Sequence, residues 1–236
     1  MGLRGQKPKG RIKIEWSANF AYAIGLIVTD GNLSGDRRHV IFVSKEIEQI
    51  NNFVNCLGLQ DLKVGRHISG YDGNLAHRVQ FGDVLFYKFL SSIGLTPAKS
   101  KTIGKIEIPE KYFFDFLRGC FDGDGCSYSY WDPRWRSSFM MYVSFCSASY
   151  QHILWLREQI YEAITIKGHI SKSKKTDYFQ LKFAKKESEK LINKMYYSKK
   201  IVCLKRKKLK IDKALAIMRM QAEKYARVAK LEDAIA

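Results

Sequence analysis

The chain has 236 residues, and its 41 Lys and Arg against 23 Asp and Glu give a formal charge of +18 at pH 7. An excess of that size points to a polyanionic partner, with a merely solvated basic surface or attraction to acidic lipid as the competing readings. The longest apolar stretch, Phe20 to Val28, has nine residues and runs directly into Thr29-Asp30, too short for a membrane span. No apolar signal segment follows the basic N-terminus, so no membrane partner is expected. Five cysteines without a Cys-x-x-Cys pair argue against a disulfide framework and for a reducing intracellular compartment. The five histidines lack zinc-ligand spacing.

In chain order, a basic tail (Arg4, Lys7, Lys9, Arg11, Lys13) precedes the apolar run from Phe20, which predicts a buried helix closing at Asp30-Gly31. A β-type run His39 to Ser44 follows, then a helical Glu46 to Phe53 with Ile47, Ile50 and Phe53 on one stripe. Leu62 to Phe81 reads as a hairpin turning at Gly70 to Asn74, and Asp83 to Ser92 as a helix. Thr96 to Pro109 is a polar linker bracketed by Pro97 and Pro109. The order then repeats: a helix ending Asp122-Gly123-Asp124-Gly125, a strand Phe139 to Cys146, and a helix Tyr150 to Tyr161. A hairpin Lys167 to Phe183 turning at Lys174 to Asp177 and a helix Lys186 to Tyr197 complete the repeat. A last amphipathic run, Ile211 to Leu231, has Ile211, Leu215, Met218, Ala222, Tyr225 and Ala229 at helical spacing and is expected to dock on the core. The cluster Lys205 to Lys208 before it reads either as a phosphate contact or as a solvated turn.

This duplication predicts an α+β (mixed α/β) fold of two pseudo-symmetric αββαββα half-domains, residues 1–104 and 105–236, with saddle-shaped antiparallel sheets and the two repeated helices packed at the central interface. Gly25 and Gly119 occupy the third position of each nine-residue repeat, where a missing Cβ lets two helix backbones meet. Gly31 and Gly125 read as helix C-caps. Helices covering one sheet face leave the other to meet something polar. Strand alternation puts Arg78, Gln80, Gln180 and Lys182 on that outer face, where Arg suits guanine and Gln suits adenine in a major groove. Arg37, Arg38, Arg66, Arg134, Arg136, Lys172, Lys174 and Lys175 lie in turns or strand ends, as phosphate contacts or as solvated charges. Trp131 and Trp135 flank Arg134 in a loop, where packing against the sheet edge is favoured over contact with DNA.

Each repeat also places a carboxylate at the last turn of an apolar helix, where the macrodipole is negative and a cation is welcome. Helices lying side by side with level C-termini would bring Asp30 and Asp124 together, and their repulsion would raise one pKa unless a metal neutralised the pair. Carboxylate and backbone carbonyl oxygens suit Mg²⁺, so the carbonyls of Thr29 and Gly123 are further candidate ligands.

The repeats Ala23-Ile24-Gly25-Leu26-Ile27-Val28-Thr29-Asp30-Gly31 and Leu117-Arg118-Gly119-Cys120-Phe121-Asp122-Gly123-Asp124-Gly125 resemble the paired motif of the LAGLIDADG homing endonucleases. The second copy keeps most of the consensus. In the first, Val28 replaces the sixth-position acid, while the eighth position, the family's catalytic carboxylate, is Asp30 here and Asp124 in the other half. The resemblance implies a monomeric, intron-borne or free-standing endonuclease that cuts both strands of one long asymmetric DNA site and leaves short 3′ overhangs. It implies Mg²⁺ as cofactor, with Mn²⁺ substituting and Ca²⁺ supporting binding without efficient cutting. It also implies polar and basic residues beside the metals. By chain order these are Ser44 and Lys45 in the first half and Cys146 and Ser147 in the second, with Lys101 and Lys205 as substitutes for the lysine the second half lacks. For Lys45, a solvent-facing first-turn position is an equal reading. The alternatives on the same fold are a group I intron maturase acting on host intron RNA and a catalytically silent sequence-specific DNA-binding protein.

Overall fold

The computed structural model describes residues 10–68, 73, 75–173 and 176–235, with side chains through residue 227. Helix α1 (Ala18–Asp30) starts where Ser17 accepts the Phe20 N–H at 3.1 Å, and it is buried from Phe20 to Val28. Strands β1 (Gly31–Leu33) and β2 (His39–Ser44) follow, then α2 (Ile47–Cys56), β3 (Gly65–Ile68), β4 (Leu75–Gly82) and α3 (Val84–Ser92). The second half repeats the order with α4 (Phe113–Asp124), β5 (Cys126–Trp131), β6 (Phe139–Ser147), α5 (Tyr150–Ile164), β7 (His169–Lys172), β8 (Phe179–Ala184) and α6 (Lys185–Met195). It then adds a 31-residue helix, α7 (Lys205–Ile235).

Each half forms a four-stranded antiparallel sheet, ordered β1-β2-β4-β3 in the first and β5-β6-β8-β7 in the second. Alternation decides which face is covered. Val40, Phe42, Val79 and Phe81 in one sheet, and Met141, Val143, Phe145, Leu181 and Phe183 in the other, are buried and join one core with the helices. The Phe42 and Phe53 rings stack at 4.3 Å across the interface of β2 with α2. Among the described residues, the core helices pack on these faces and leave the opposite faces open.

Several boundaries differ from the sequence reading. Asp83 is the N-cap of α3, accepting from Phe86 N at 2.9 Å, rather than its first residue. Ile47, placed on the buried stripe of α2, is 45% exposed, and Gln49 is buried in its stead. Helix α7 starts six residues earlier than its apolar periodicity suggested, so Lys205 to Lys208 form its first turn and not a loop. Its docking stripe stops at Met218, because Ala222 and Tyr225 are exposed. Residues 69–72, 74 and 174–175, which include most of the first hairpin turn with Lys174 and Lys175, lie outside the described residues, as do Arg4, Lys7 and Lys9.

The glycines closing the repeats also behave differently. Gly31 (φ −84°, ψ 152°) and Gly125 (φ −74°, ψ 154°) are extended, not left-handed. They are glycines because the chain turns back against its own helix. A Cβ on Gly31 would stand 2.6 Å from Ile27 Cα, and one on Gly125 would stand 2.6 Å from Phe121 Cα.

Candidate functional site

Helices α1 and α4 pack against each other through their glycines. A Cβ on Gly25 would fall on the carbonyl oxygen of Phe116 and 2.8 Å from Cys120 N, and one on Gly119 would fall on the carbonyl oxygen of Tyr22. Gly123 continues the contact at the C-terminal end, where a Cβ would meet Thr29 Cβ at 2.6 Å and Asp30 Oδ2 at 2.8 Å. The two helix ends therefore lie level, and Asp30 and Asp124 share one region. Burial, then the neighbouring Asp124 charge, pushes the Asp30 carboxyl up to about 7. Burial also raises Asp124.

Two lysines from the far ends of the halves reach this region. Lys99 leaves a short 3-10 turn entered through Ala98, whose φ of 53° is left-handed, and its ammonium donates to the Gly31 carbonyl. Lys207, on the first turn of α7, donates to the carbonyls of Phe121 (2.7 Å), Asp122 (2.8 Å), Gly123 (2.9 Å) and Gly125 (2.7 Å). Each thus supplies the cation that a helix C-terminus favours. Burial lowers the pKa of both. These are not the lysines expected. Lys101 is exposed and contacts Asp177 at 3.4 Å, and Lys205 is exposed at the start of α7. The Gly123 carbonyl, expected as a metal ligand, is taken by Lys207. Thr29 turns its hydroxyl to the Leu26 carbonyl at 3.1 Å.

Each acid opens into its own depression. Asp30 lines one of 410 Å³ with Ser44, Lys45, Gln49, Arg206 and Lys207; Asp124 lines a cavity of 200 Å³ with Lys99, Ser100, Cys146, Ser147 and His152. In the first, Gln49 donates to Asp30 Oδ2 at 3.3 Å while its own oxygen accepts from Ser44 at 2.8 Å, which fixes the carboxylate's orientation. Strand register then shows which residues correspond. Asn32 pairs with Ile41, and Cys126 pairs with Ser144, so Ser147 matches Ser44, Ala148 matches Lys45, and Cys146 matches Val43. The chain-order pairing of Ser44 with Cys146 was off by one residue. His152 stands where the first half has Gln49. It bonds the Gly104 carbonyl at 2.8 Å, and burial drives its pKa down to about 4, so the ring is neutral.

A buried network sets the position of Lys207. Asp122 accepts from Tyr22 Oη at 2.8 Å and from Leu204 N at 2.7 Å, anchoring the start of α7 beside the end of α4. Arg118, fully buried, pairs with Asp115 at 2.8 Å and donates to the carbonyls of Met195 and Val202, tying down the connection before α7. Asp122 and Arg118 were legible in the sequence only as parts of the motif.

On the open sheet faces, register places Arg78 beside Val43 and Gln80 beside Ile41, and places Lys182 and Gln180 on the matching face of the second sheet. Arg78 donates to Gln80, Lys182 lies 5.4 Å from the Tyr142 ring centroid, and Gln180 donates to Ser144 at 3.3 Å. Three tyrosines that the sequence reading passed over share this face. Tyr128 and Tyr142 stack at 4.9 Å, with Tyr130 alongside. Arg66 and Lys172 pair with His77 and Phe179 and so fall on the opposite face of their edge strands. Arg37 and Arg38 are exposed in the β1–β2 turn. Arg134 and Arg136 are exposed in the β5–β6 loop, where Arg134 pairs with Asp132 at 3.0 Å. Trp131 packs edge-on against Phe139 yet stays 50% exposed, and Trp135 is 71% exposed.

The two helix ends offer a pair of carboxylates, a donor type that suits a hard divalent cation, and burial raises the proton affinity of both. Among the described residues no group of three or more His, Cys, Asp and Glu forms a closed cage. An ion there would rest on Asp30 and Asp124 and complete its shell from outside the chain, a habit of Mg²⁺.

Two glycine-matched helices, level carboxylates and two open sheets define the LAGLIDADG fold in its two-motif, single-chain form. Solved structures agree. The chain superposes on the I-LtrWI LAGLIDADG homing endonuclease, solved bound to target DNA, with TM-score 0.55 and 12% identity over 87% of this chain and 91% of that one. Against the homing endonuclease I-WcaI, solved bound to its DNA recognition sequence, the values are 0.52 and 16%, over 86% and 97%. Against full-length DUF199/WhiA from Thermatoga maritima they are 0.54 and 14%, over 94% and 68%. No protein-family model matches the chain, and no curated protein matches it in sequence. No helix among the described residues is long and apolar enough to cross a membrane.

Proposed function

We propose that the protein is a site-specific, metal-dependent double-strand DNA endonuclease of the homing type, acting in an intracellular compartment with access to DNA. The observation that carries this reading is the pair Asp30 and Asp124, held level by the glycine contact, each in its own depression with a lysine from the end of a half. Two depressions suit two strands. The unequal halves suit an asymmetric target, cut to leave short 3′ overhangs. One chain supplies both acids, so a monomer suffices.

Asp30 and Asp124 would hold Mg²⁺, which when bound supplies Lewis-acid stabilisation and an activated water. The chain's own residues do the rest. Gln49 holds the Asp30 carboxylate in one orientation, Lys99 and Lys207 offset the paired negative charge, and Ser44, Lys45 and Ser147 line the walls where the scissile phosphates would lie. Arg78, Gln80, Gln180 and Lys182 face the base edges.

The second reading is a silent DNA-binding protein on the same fold. It is favoured by the likeness to WhiA over 94% of this chain. An intron maturase is the third. Incubation with a library of randomised duplexes and Mg²⁺, followed by sequencing of the cut ends, decides between the first two. Recovery of one long motif cut on both strands supports the endonuclease. Binding enrichment of a motif without cutting, in Mg²⁺ or Mn²⁺, refutes it in favour of the silent protein.

A further inference from the structure

Few of this molecule's charges stand on the strands of its open sheet faces. Of the described strand residues facing outward on the two sheets, only Arg78 and Lys182 carry a permanent positive charge; the others are neutral side chains and histidines. Residues 185–227, by contrast, contain fifteen Lys and Arg against four Asp and Glu, a net +11 of the chain's +18, of which Arg206 and Lys207 line the Asp30 depression and the rest lie elsewhere on the segment. This segment comprises α6, the connection after it, and α7.

Both helices lie behind the second sheet. Leu191, Ile192 and Met195 of α6 and Ile211, Leu215 and Met218 of α7 point into the core beneath it, and Lys185 reaches Gln221 at 3.5 Å, so the two helices are neighbours. Their outward sides are basic. Lys186, Lys190 and Lys194 recur every four residues on α6, all exposed; Lys213, Arg219 and Lys224 are exposed on α7; none of the six makes an ion pair among the described residues. Lysines four apart on a helix repel one another and weaken it. Of the two acids between them, Glu187 accepts from the backbone N–H groups of Lys167 and Gly168, and Glu189 makes no ion pair among the described residues.

We infer that this helical face is a second nucleic-acid surface, which holds the phosphate backbone of a further DNA duplex while the open sheets hold another. Charge complementarity selects a polyanion. Five of these six cations are lysines and, among the described residues, none of the six lies over an aromatic ring, although Tyr197 and Tyr225 of the same segment are exposed; such a set suits point contacts with phosphates on a rigid duplex more than stacking on the bases of a single strand. The face would bind without regard to sequence and with steep salt dependence. The inference does not require that the protein cut DNA.

The test uses the full chain with a bead-tethered duplex and a second, fluorescent duplex of unrelated random sequence, in low salt without divalent metal. The wild type should retain the second duplex on the bead. K186E/K190E/K194E should reduce that retention by about tenfold or more, while binding of the tethered duplex alone changes little. If the reversal variant fails to fold, K186Q/K190Q/K194Q is read in its place. R78E/K182E, with the open face impaired, should still bind one duplex and lose bridging; if it bridges undiminished, the open-face reading fails and the helical face is judged on the lysine variants. Retention of only one duplex by the wild type, or full bridging by the lysine variants, overturns the inference. So does bridging that tracks self-association of the protein by sedimentation, or a second site that takes duplex RNA and rejects DNA.

Discussion

Gly25→Ala gives the most direct test of the architecture, because two opposing physical effects differ in sign. In an ordinary helix interior this change stabilises by about 1 kcal/mol, since alanine loses less backbone freedom on folding. Here the new methyl would fall on the Phe116 carbonyl oxygen, 2.8 Å from Cys120 N and 2.9 Å from Gly119 Cα, all backbone atoms of the partner helix. Real Cβ contacts are essentially never below 3.0 Å, and backbone cannot rotate aside as a side chain can. The helices must separate by several tenths of an ångström along an interface lined by buried Tyr22, Leu26, Phe116 and Cys120. Overpacking of this kind costs about 1–3 kcal/mol, and Gly25→Leu costs more. A loss of about 2 kcal/mol in a chain of this size lowers the melting temperature by roughly 4–8 °C. Thermal melts by circular dichroism, with urea melts to confirm an unchanged m-value, read the outcome. A variant that melts at or above the parent temperature refutes the close helix contact and, with it, the reason Asp30 and Asp124 lie level.

Asp30→Asn and Asp124→Asn should each abolish double-strand cleavage while DNA affinity stays within about tenfold, because these side chains hold metal and do not read bases; full cutting by either variant in Mg²⁺ removes the mechanism. Alanine at Arg78, Gln80, Gln180 or Lys182 should cost about 1–3 kcal/mol of binding and relax preference at a few base pairs, with Arg78 and Lys182 affecting opposite half-sites. Unchanged cleavage profiles on single-base target variants for all four would remove those strands from the interface. The His152 pKa falls from an ordinary 6.5 to about 4 in the fold, so its neutral ring favours the folded state fully above pH 6.5, and that stability is lost as pH drops toward 4. The loss is about 3 kcal/mol. Asp30 and Asp122, raised by burial, run the other way, so the measurement is the difference between wild type and His152→Gln in urea melts from pH 7 to 4. Parallel curves would show that His152 is not buried neutral.

What the sequence alone determined rests on local rules. Helical periodicity and chain order gave the αββαββα repeat, period-two alternation gave the outward positions of Arg78, Gln80, Gln180 and Lys182, and the nine-residue repeats gave both aspartates and both interface glycines. The tertiary structure decided everything that depends on which distant segment arrives where. Lys99 meets the Gly31 carbonyl across 68 residues and Lys207 meets the Gly123 carbonyl across 84, so no local pattern separates them from Lys101 and Lys205 two positions away. Helix α7 begins at Lys205 because buried Asp122 accepts the Leu204 N–H, a contact spanning 82 residues that apolar periodicity cannot register. The one-residue shift between Ser44 and Cys146 has the same origin: register is set by hydrogen bonds between strands, while the sequence fixes only which residues share a face. Gly31 and Gly125 were recognised as glycines that had to be glycines, but the reason, a chain folding back on its own helix and not a left-handed cap, belongs to the packing.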